Sequence, residues 1–168
     1  MNKISNMKYI KYFLLIIFLI GGIIMFNIFK STKIVGKDIK INDINEFYYT
    51  YASSTYPPKY QRYLFYRKDS KYYFYHEKRE GDVFPLTEEY ITISNTIELD
   101  NEEWNNFFDY INNGKVIKRK ENTDSGYSGP WLYLYWENDK GVIQEFSFET
   151  YNKLKEFEKY CIKLKEMN

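Results

Sequence analysis

The 168-residue sequence contains one cysteine, one histidine and four prolines, and these low counts exclude several classes of protein. A single cysteine, Cys161, cannot form a disulfide within the chain. One histidine and one cysteine cannot supply the His and Cys ligands of a usual zinc site. The short motifs of serine hydrolases, zinc peptidases, phosphate-binding loops and EF-hands are missing as well. The sequence therefore predicts no catalytic residue, no metal site and no cofactor.

The one histidine, His76, lies in the segment KYYFYHEK, on the same strand face as Tyr72 and Phe74. This setting favours a packed side chain over a catalytic one, because general acid–base catalysis needs an activated partner. The adjacent carboxylates Glu88-Glu89 and Glu102-Glu103 are interpreted as solvated or helix-capping groups. A hydrolase that pairs His76 with Asp or Glu stays open as an alternative. It requires a carboxylate within hydrogen-bond reach of the imidazole.

Aromatic residues and an uneven distribution of charge stand out among what the chain does contain. Aromatic residues make up 21% of it, with 19 Tyr and 13 Phe, and AT-rich codons are expected to explain part of this excess. The net charge of +1 divides into +6 over residues 1–40 and −5 over residues 41–168. Because contacts to phosphates supply most nucleic-acid affinity, the acidic larger part argues against a nucleic-acid partner.

Between Lys11 and Lys30 the chain has 18 residues without a charge, YFLLIIFLIGGIIMFNIF. As a helix this stretch would be about 27 Å long, close to the roughly 30 Å of a hydrocarbon core. The pattern predicts a short basic tail at 1–11 and a transmembrane helix, Tyr12–Phe29, in the lipid bilayer. No small-residue cleavage site follows, which indicates an uncleaved signal anchor. Positive charges flank both ends almost equally, and the short N-terminal tail favours an extracytoplasmic C-terminal domain at the cell membrane.

Residues 30–45 are polar and lack a sustained hydrophobic period, which predicts a tether, whereas residues 46–168 are long enough for one domain with its own core. Alternating aromatic and β-branched residues predict seven strands in this domain. The predicted strands are Glu46–Tyr51, Tyr60–Arg67, Lys71–Lys78, Tyr90–Leu99, Val116–Lys120, Pro130–Glu137 and Val142–Phe148. Turn residues between the second and third strands, and between the sixth and seventh, indicate two hairpins. The short, charged fifth strand is expected at an edge of the sheet.

Two amphipathic helices complete the predicted domain. Asp100 and Glu103 form a capping-box pattern at the start of the first helix, and Gly114 ends it. The second helix runs from about Tyr151 to Glu166, with Thr150 as its cap. The apolar stripes are Trp104, Phe107, Phe108 and Ile111 in the first helix, and Tyr151, Leu154, Phe157, Cys161 and Leu164 in the second. These elements predict an α+β fold: an antiparallel sheet with two helices packed on one face, preceded by one N-terminal transmembrane helix.

The segment GPWLYLYW has large side chains on both faces of one strand. We expect an inner strand whose Leu132, Leu134 and Trp136 face the helices. The opposite side chains would then share an exposed face with two tyrosines of the first hairpin, and aromatic rings with hydroxyl groups suit a protein or cell-wall glycan partner. The candidate binding residues on that face are Tyr73, Tyr75, Trp131, Tyr133 and Tyr135. The alternative is a second layer, in which the tether, a loop or the sheet's own curvature covers this face.

From GPWLYLYW through NDKGVIQEFSF to LKEFEKYCIKLKE, the sequence resembles uncharacterised bacterial proteins of Gram-positive type. Many of these are short membrane-tethered or exported domains. The resemblance covers mainly Trp104–Glu166, together with the segments FYYTY and YYFYHE. It implies a shared domain and a bacterial origin, and it carries no activity, ligand or catalytic residue.

These features predict a single-span membrane protein with a non-catalytic, extracytoplasmic interaction domain. The first alternative is an immunity-type or regulatory protein that binds one protein partner at the membrane. The second alternative is the carboxylate-dependent hydrolase.

Overall fold

The computed structural model describes residues 12–18, 33–118, 131–136 and 144–166. The chain divides into two compact units, Met1–Thr32 and Lys33–Asn168. In the first unit the described part is one short helix over residues 12–18 (α1), whose residues are all exposed. Among the described residues, no helix is both long and apolar enough to span a membrane. The predicted transmembrane helix Tyr12–Phe29 is therefore not shown, and residues 19–29 of it lie outside the described part.

Seven strands, counted over the described residues, form one antiparallel sheet in the second unit. They are β1 Ile44–Ser53, β2 Lys59–Lys68, β3 Lys71–Glu80, β4 Ile91–Leu99, β5 Ile117–Lys118, β6 Trp131–Trp136 and β7 Gln144–Ser147. The four long strands β1 to β4 form a meander, and the sheet continues from β1 through β6 and β7 to β5. The predicted α+β fold with an antiparallel sheet is confirmed, and β5 lies at an edge as expected.

Helix α2 spans Asn101–Asn113 and helix α3 spans Tyr151–Lys165. At the start of α2, Asp100 Oδ1 accepts a hydrogen bond from the Glu103 amide at 2.8 Å, and Glu103 Oε2 accepts one from the Asp100 amide at 2.9 Å. This is the predicted capping box, which satisfies two amides that the helix itself leaves unpaired. At the start of α3, the Thr150 hydroxyl accepts from the Lys153 amide at 3.3 Å, also as predicted.

The end of α2 matches the prediction at Gly114. The left-handed backbone that is common at helix ends falls on the next residue, Lys115, with φ 48°, whereas Gly114 has φ −71°. A Cβ at Gly114 would lie 2.5 Å from the ring of Phe148. The glycine is therefore required by the close approach of an aromatic ring and not by its backbone conformation.

The core lies between one face of the sheet and the helices α2 and α3. Phe65 of β2 is fully buried and stacks on Phe107 of α2, with ring centroids 4.1 Å apart and ring planes at 9°. Phe157 of α3 contacts the edge of Phe47 of β1 at 5.6 Å. Such aromatic pairs supply both the buried apolar area and the specific geometry that fix the two helices on the sheet.

The positions predicted to face the core agree with the structure except at the first residue of α3. Leu132 and Leu134 of β6 are buried, as the predicted inner strand requires, while the side chain of Trp136 lies outside the described residues. Tyr151 was expected in the core and is 67% exposed, because it lines an open cleft beside the helix. Tyr160, which the stripe omitted, is buried instead, and its hydroxyl donates to a backbone carbonyl of α2 at 2.8 Å.

The stretch predicted as a polar tether, residues 30–45, differs from that expectation over its described part. Val35, Ile39 and Ile44 are at most 1% exposed and belong to the core. The Val35 amide donates to the Val116 carbonyl at 3.0 Å, which holds the stretch against the chain that leads into β5. The three apolar residues follow neither the helical nor the strand period, so their burial leaves no regular pattern in the sequence. The compact unit begins at Lys33, ahead of the predicted boundary at residue 46.

Candidate ligand-binding cleft

A cleft of about 700 Å³ lies between α3 and one end of the sheet, and we call it the α3 cleft. Its sheet side comes from the end of β1, the start of β2 and the end of β3. Its helix side is one flank of α3, where residues three or four apart in sequence lie next to each other. From this flank the cleft receives Tyr151, Lys155, Glu158, Ile162 and Lys165.

The hairpin turn between β2 and β3 sets which residues reach the cleft. The turn residues Asp69 and Ser70 have φ values of 51° and 63°, as a two-residue hairpin with matching twist requires. The register that follows places Tyr63 opposite His76 and, at the far end of the hairpin, Lys59 opposite Glu80. A shift of one residue in this register would move the side chains of one strand to the opposite face relative to the other strand, and its groups would leave the cleft.

Two tyrosines form the floor of the α3 cleft. Tyr49 and Tyr63 are direct cross-strand partners on β1 and β2, each 1% exposed, with stacked rings whose centroids lie 5.5 Å apart. Burial raises the pKa of both hydroxyl groups above the ordinary value, and for Tyr49 a hydrogen bond to Glu158 raises the pKa further. Both hydroxyl groups therefore stay protonated at physiological pH and can act only as neutral donors or acceptors.

The carboxylates that line the α3 cleft are already engaged. Glu158 accepts a hydrogen bond from Tyr49 through Oε1, and its Oε2 lies 2.5 Å from Lys155 Nζ. Glu80 is paired with Lys78. Since both oxygens of Glu158 have partners, this residue is held as a structural anion and not as an available base.

Positive charge remains in excess around the cleft. Within the described residues, Lys59 and Lys165 have no ion-pair partner. Lys59 is exposed at the start of β2, and the ammonium of Lys165 lies 5.8 Å from the centroid of the Tyr63 ring. A further lining cation, Arg79, is neutralised by Glu77 on the other face of the sheet. The cleft thus presents two uncompensated positive charges, although residues 41–168 are acidic as a whole.

His76 lies behind the floor and does not have the partner that acid–base chemistry needs. It is 4% exposed, and its ring lies 5.3 Å from that of Tyr63. Burial, helped by the charges of Lys165 and Lys78 and opposed by that of Glu77, lowers the pKa of His76 to about 4. Its Nε2 is buried without a hydrogen-bond partner. Among the described residues no carboxylate is hydrogen-bonded to His76, which is the contact that the hydrolase alternative requires.

The structure places two of the sequence-predicted binding residues on a second surface, the face of the sheet turned away from α2 and α3, which we call the outer face. Tyr73 and Tyr75 are half-buried there, because they alternate with Phe74 and His76 of the core. The backbone register pairs three other candidates with β1 residues. These pairs are Trp131 with Thr50, Tyr133 with Tyr48 and Tyr135 with Glu46. The side chains of those three candidates lie outside the described residues, so a five-residue aromatic site stays a prediction.

One end of the outer face is closed by a buried ion pair. Arg79 Nε lies 2.6 Å from Glu77 Oε1, and the guanidinium donates from Nη1 to the Leu86 carbonyl at 2.9 Å. The guanidinium also lies 4.3 Å from the centroid of the Tyr60 ring, and Tyr75 donates its hydroxyl to Glu77 at 2.7 Å. The loop between β3 and β4 therefore covers this end of the outer face. A covering loop is one form of the alternative in which a second layer lies over the aromatic residues.

Sequence reasoning missed the α3 cleft because its parts are distant in the chain. The floor tyrosines were recognised only as strand residues, and the sequence did not show that their two strands, β1 and β2, are neighbours. The polar side of α3 offered a partial signal. Lys155, Glu158 and Lys165 follow helical spacing on one flank, which marks a continuous charged surface without showing what it faces.

Within the described residues, no group of three or more His, Cys, Asp or Glu side chains is arranged to hold a metal ion. The lone thiol, Cys161, is buried on α3, and burial raises its pKa well above the ordinary value, which makes it unreactive. Comparisons with protein-family models, curated proteins and solved structures find no match to this chain. The resemblance to Gram-positive proteins therefore stays a prediction.

Proposed function

We propose that the chain is a membrane-tethered, non-catalytic binding module whose α3 cleft takes an anionic ligand. The observation that carries this proposal is the pair of lysines without carboxylate partners, Lys59 and Lys165, at a cleft of about 700 Å³. Ligand pockets of proteins commonly have volumes of about 300–1,000 Å³. A ligand carboxylate or phosphate would supply the counter-charge that the protein itself does not provide to these lysines.

The ligand class that fits the walls of the cleft is a glycan that carries phosphate or carboxylate groups. Tyr151 stands exposed at one side, and half-buried Tyr51, on the same face of β1 as Tyr49, forms part of the other. A tyrosine ring packs against the apolar face of a sugar, while its hydroxyl group reaches water or a ligand hydroxyl. Aromatic walls and unpaired lysines together favour an anionic sugar polymer over a neutral glycan or an apolar ligand.

The proposed location rests on the N-terminal sequence. The uncharged residues 12–29 support a membrane anchor, and the short basic tail before them supports an extracytoplasmic domain. Anionic wall polymers lie on that side of a Gram-positive membrane. A tethered domain there would meet such polymers at high local concentration.

A binding role, and not a hydrolytic one, agrees with the acid–base groups of the cleft. Hydrolysis by carboxylates needs two groups that are free to exchange protons with the substrate. Glu158 has both oxygens engaged, and His76 is buried, neutral at pH 7 and without a described carboxylate partner.

The proposal is tested with the full-length chain in detergent, titrated with oligogalacturonate, a glycan that carries a carboxylate on each sugar, and followed by isothermal calorimetry. We expect binding that weakens with salt, because the attraction is electrostatic and is screened. Changing both lysines, Lys59→Gln with Lys165→Gln, should raise Kd about 10-fold or more, since each lost charge contact is worth on the order of 1 kcal/mol. A neutral dextran of similar length should not bind.

The matched control is Lys71→Gln, because Lys71 is an exposed lysine of the same sheet at the opposite end of β3 from the cleft. Its ammonium lies 2.8 Å from Glu98. If Lys71→Gln and the double variant lost equal affinity for the ligand, the effect would come from general surface charge and not from the cleft. A stoichiometric protein partner whose binding ignores both lysines would instead favour the immunity-type alternative.

A further inference from the structure

The two edges of the sheet differ in how they are closed. At the β5 edge, Ile34 forms a backbone bridge with Ile117. At the other edge, no described residue pairs with the free side of β4. Edge strands expose unpaired amides and carbonyls, and proteins usually protect them with lysine, proline, a bulge or a covering segment.

The sequence of β4, ITISNTIEL, offers little of this protection. It has no lysine, arginine or proline, and its one charge, Glu98, is engaged by Lys71 at 2.8 Å. The register with β3 shifts between Ile93 and Ile91, which limits the regular part to Ile93–Leu99. Ile93 is 42% exposed. A regular, nearly uncharged strand with an exposed isoleucine therefore has one side that no described residue pairs with.

The regular part of β4 is also symmetric about its own centre. The segment Ile93–Ile97 reads ISNTI, with isoleucine at both ends, hydroxyl residues next to them and Asn95 in the middle. In an antiparallel pair of identical strands centred on Asn95, each Ile93 would lie opposite Ile97 of the other copy. Ser94 would lie opposite Thr96, and Glu98 would lie opposite Thr92, so that no like charges meet.

Other registers are less favourable. A shift by two residues in either direction places Asn95 opposite an isoleucine and separates Ile93 from Ile97. In one of these registers Ile97 meets Ile91, but Ile91 lies beyond the register shift, outside the regular part of the strand. A register with an odd offset places residues of the helix-facing side opposite residues of the outer face. Only the pairing centred on Asn95 matches apolar with apolar and hydroxyl with hydroxyl along the whole segment.

We propose that β4 binds β4 of a second copy of this chain, antiparallel about a two-fold axis through Asn95, and joins two sheets into one. This contact is isologous, because each copy uses the same surface. It lies on a different strand from the α3 cleft and does not depend on the proposed ligand.

The experiment uses the full-length chain in detergent with the substitution Asn95→Cys. In the proposed register the two introduced cysteines are direct cross-strand neighbours, with Cα atoms about 4.5–5.5 Å apart, and this separation allows a disulfide. Mild oxidation should convert most of the protein to a covalent dimer on a non-reducing gel. The natural Cys161 is fully buried and should not contribute.

The matched control is Thr92→Cys, an exposed position on the same strand. In this register the two introduced cysteines would be about 20 Å apart, six residues along the strand, and should stay reduced. A mixture of Ser94→Cys and Thr96→Cys chains should cross-link to each other more than either does alone. Equal cross-linking of Asn95→Cys and Thr92→Cys, or none at Asn95→Cys, would overturn the proposal.

A non-covalent measurement covers the possibility that cysteine alters the strand. Ile93→Lys places a charge at both isoleucine contacts and should raise the dimer dissociation constant at least 10-fold in sedimentation experiments. Ile162→Lys, the same substitution at a similarly exposed isoleucine of α3, should not. The thermal midpoint of the monomer should stay close to that of the natural chain, because Ile93 is already partly exposed. A wild-type chain that sediments as a monomer at all accessible concentrations, or an edge filled by a strand of a different protein, would refute self-pairing.

Discussion

Tyr48 and Tyr49 are neighbours in β1, yet they lie on opposite faces of the sheet in different surroundings. Tyr49 is almost fully buried on the helix-facing side, in contact with Tyr63 and Phe157, and its hydroxyl reaches Glu158 of α3. Tyr48 is half-buried on the outer face, where its hydroxyl donates to Glu46 of its own strand. Burial, together with this hydrogen bond, raises the pKa of Tyr48 to about 12.

The difference shows that one residue type serves two ways of holding a sheet together. On the helix-facing side, rings interlock between strands and helices, so stability comes from buried apolar area and packing. On the outer face, Tyr48, Tyr60 and Tyr75 combine with charged groups. Of these groups the Glu77–Arg79 pair is the most buried. Stability there depends on keeping a small number of polar groups satisfied.

The largest expected effect comes from Phe65→Ala on the helix-facing side. Phe65 is fully buried and stacks on Phe107, so its removal leaves a cavity under α2. We expect the free energy of unfolding to fall by about 3–5 kcal/mol, measured by urea denaturation. The matched change on the outer face is Tyr66→Ala, where the lost contact is a stacked ring, Tyr73, at 5.1 Å. This variant should lose only about 1 kcal/mol, and similar losses in both would remove the distinction between the faces.

Much of this architecture could be predicted from local sequence, because local physics determines it. The Asp100–Glu103 cap and the alternation in β1 to β3 depend on residues close in the chain, and they were predicted. The burial of Val35 and Ile39 was not, since these residues are buried by distant strands and helices and show no period of their own. The placement of Tyr73 and Tyr75 on one strand face followed from alternation. The α3 cleft did not, because it exists only when α3 lies beside the ends of three strands.

The next largest effect is expected from Arg79→Met on the outer face. The substitution keeps an extended side chain and leaves the buried carboxylate of Glu77 without its cation. Because an uncompensated buried charge is costly, we expect a loss of about 3 kcal/mol in the free energy of unfolding. Adding Glu77→Leu should restore most of it, since the stranded charge is then removed. If the double variant is less stable than Arg79→Met, the stranded charge of Glu77 is not what lowers the free energy of unfolding of Arg79→Met.

A smaller effect separates the two neighbouring tyrosines. Tyr49→Phe removes the donor to Glu158 within the core and should cost about 1 kcal/mol. Tyr48→Phe removes the hydrogen bond to Glu46 at a half-exposed position and should cost less than about 0.5 kcal/mol. Both changes keep the ring, so chemical denaturation of the two variants compares the hydroxyl groups alone. The reverse order would mean that the hydroxyl of Tyr48 contributes more to the free energy of unfolding than that of Tyr49.

The smallest effect at neutral pH, and the most specific one, concerns His76. Its pKa is lowered to about 4 in the folded chain, whereas an unfolded histidine titrates near 6.5. Between these values the unfolded state binds more protons, so the free energy of unfolding should fall as the pH is lowered from about 6.5 towards 4. In His76→Leu that part of the pH dependence should be absent, with little change at pH 7, as measured by urea midpoints from pH 7 to 4.5. Parallel pH curves for both proteins would show that His76 does not titrate as its burial implies.

Because Lys165 contributes to the lowered pKa of His76 and also lies at the α3 cleft, a bound anion should weaken the pH dependence of the natural chain. The pH dependence of unfolding would then report directly on occupation of the cleft.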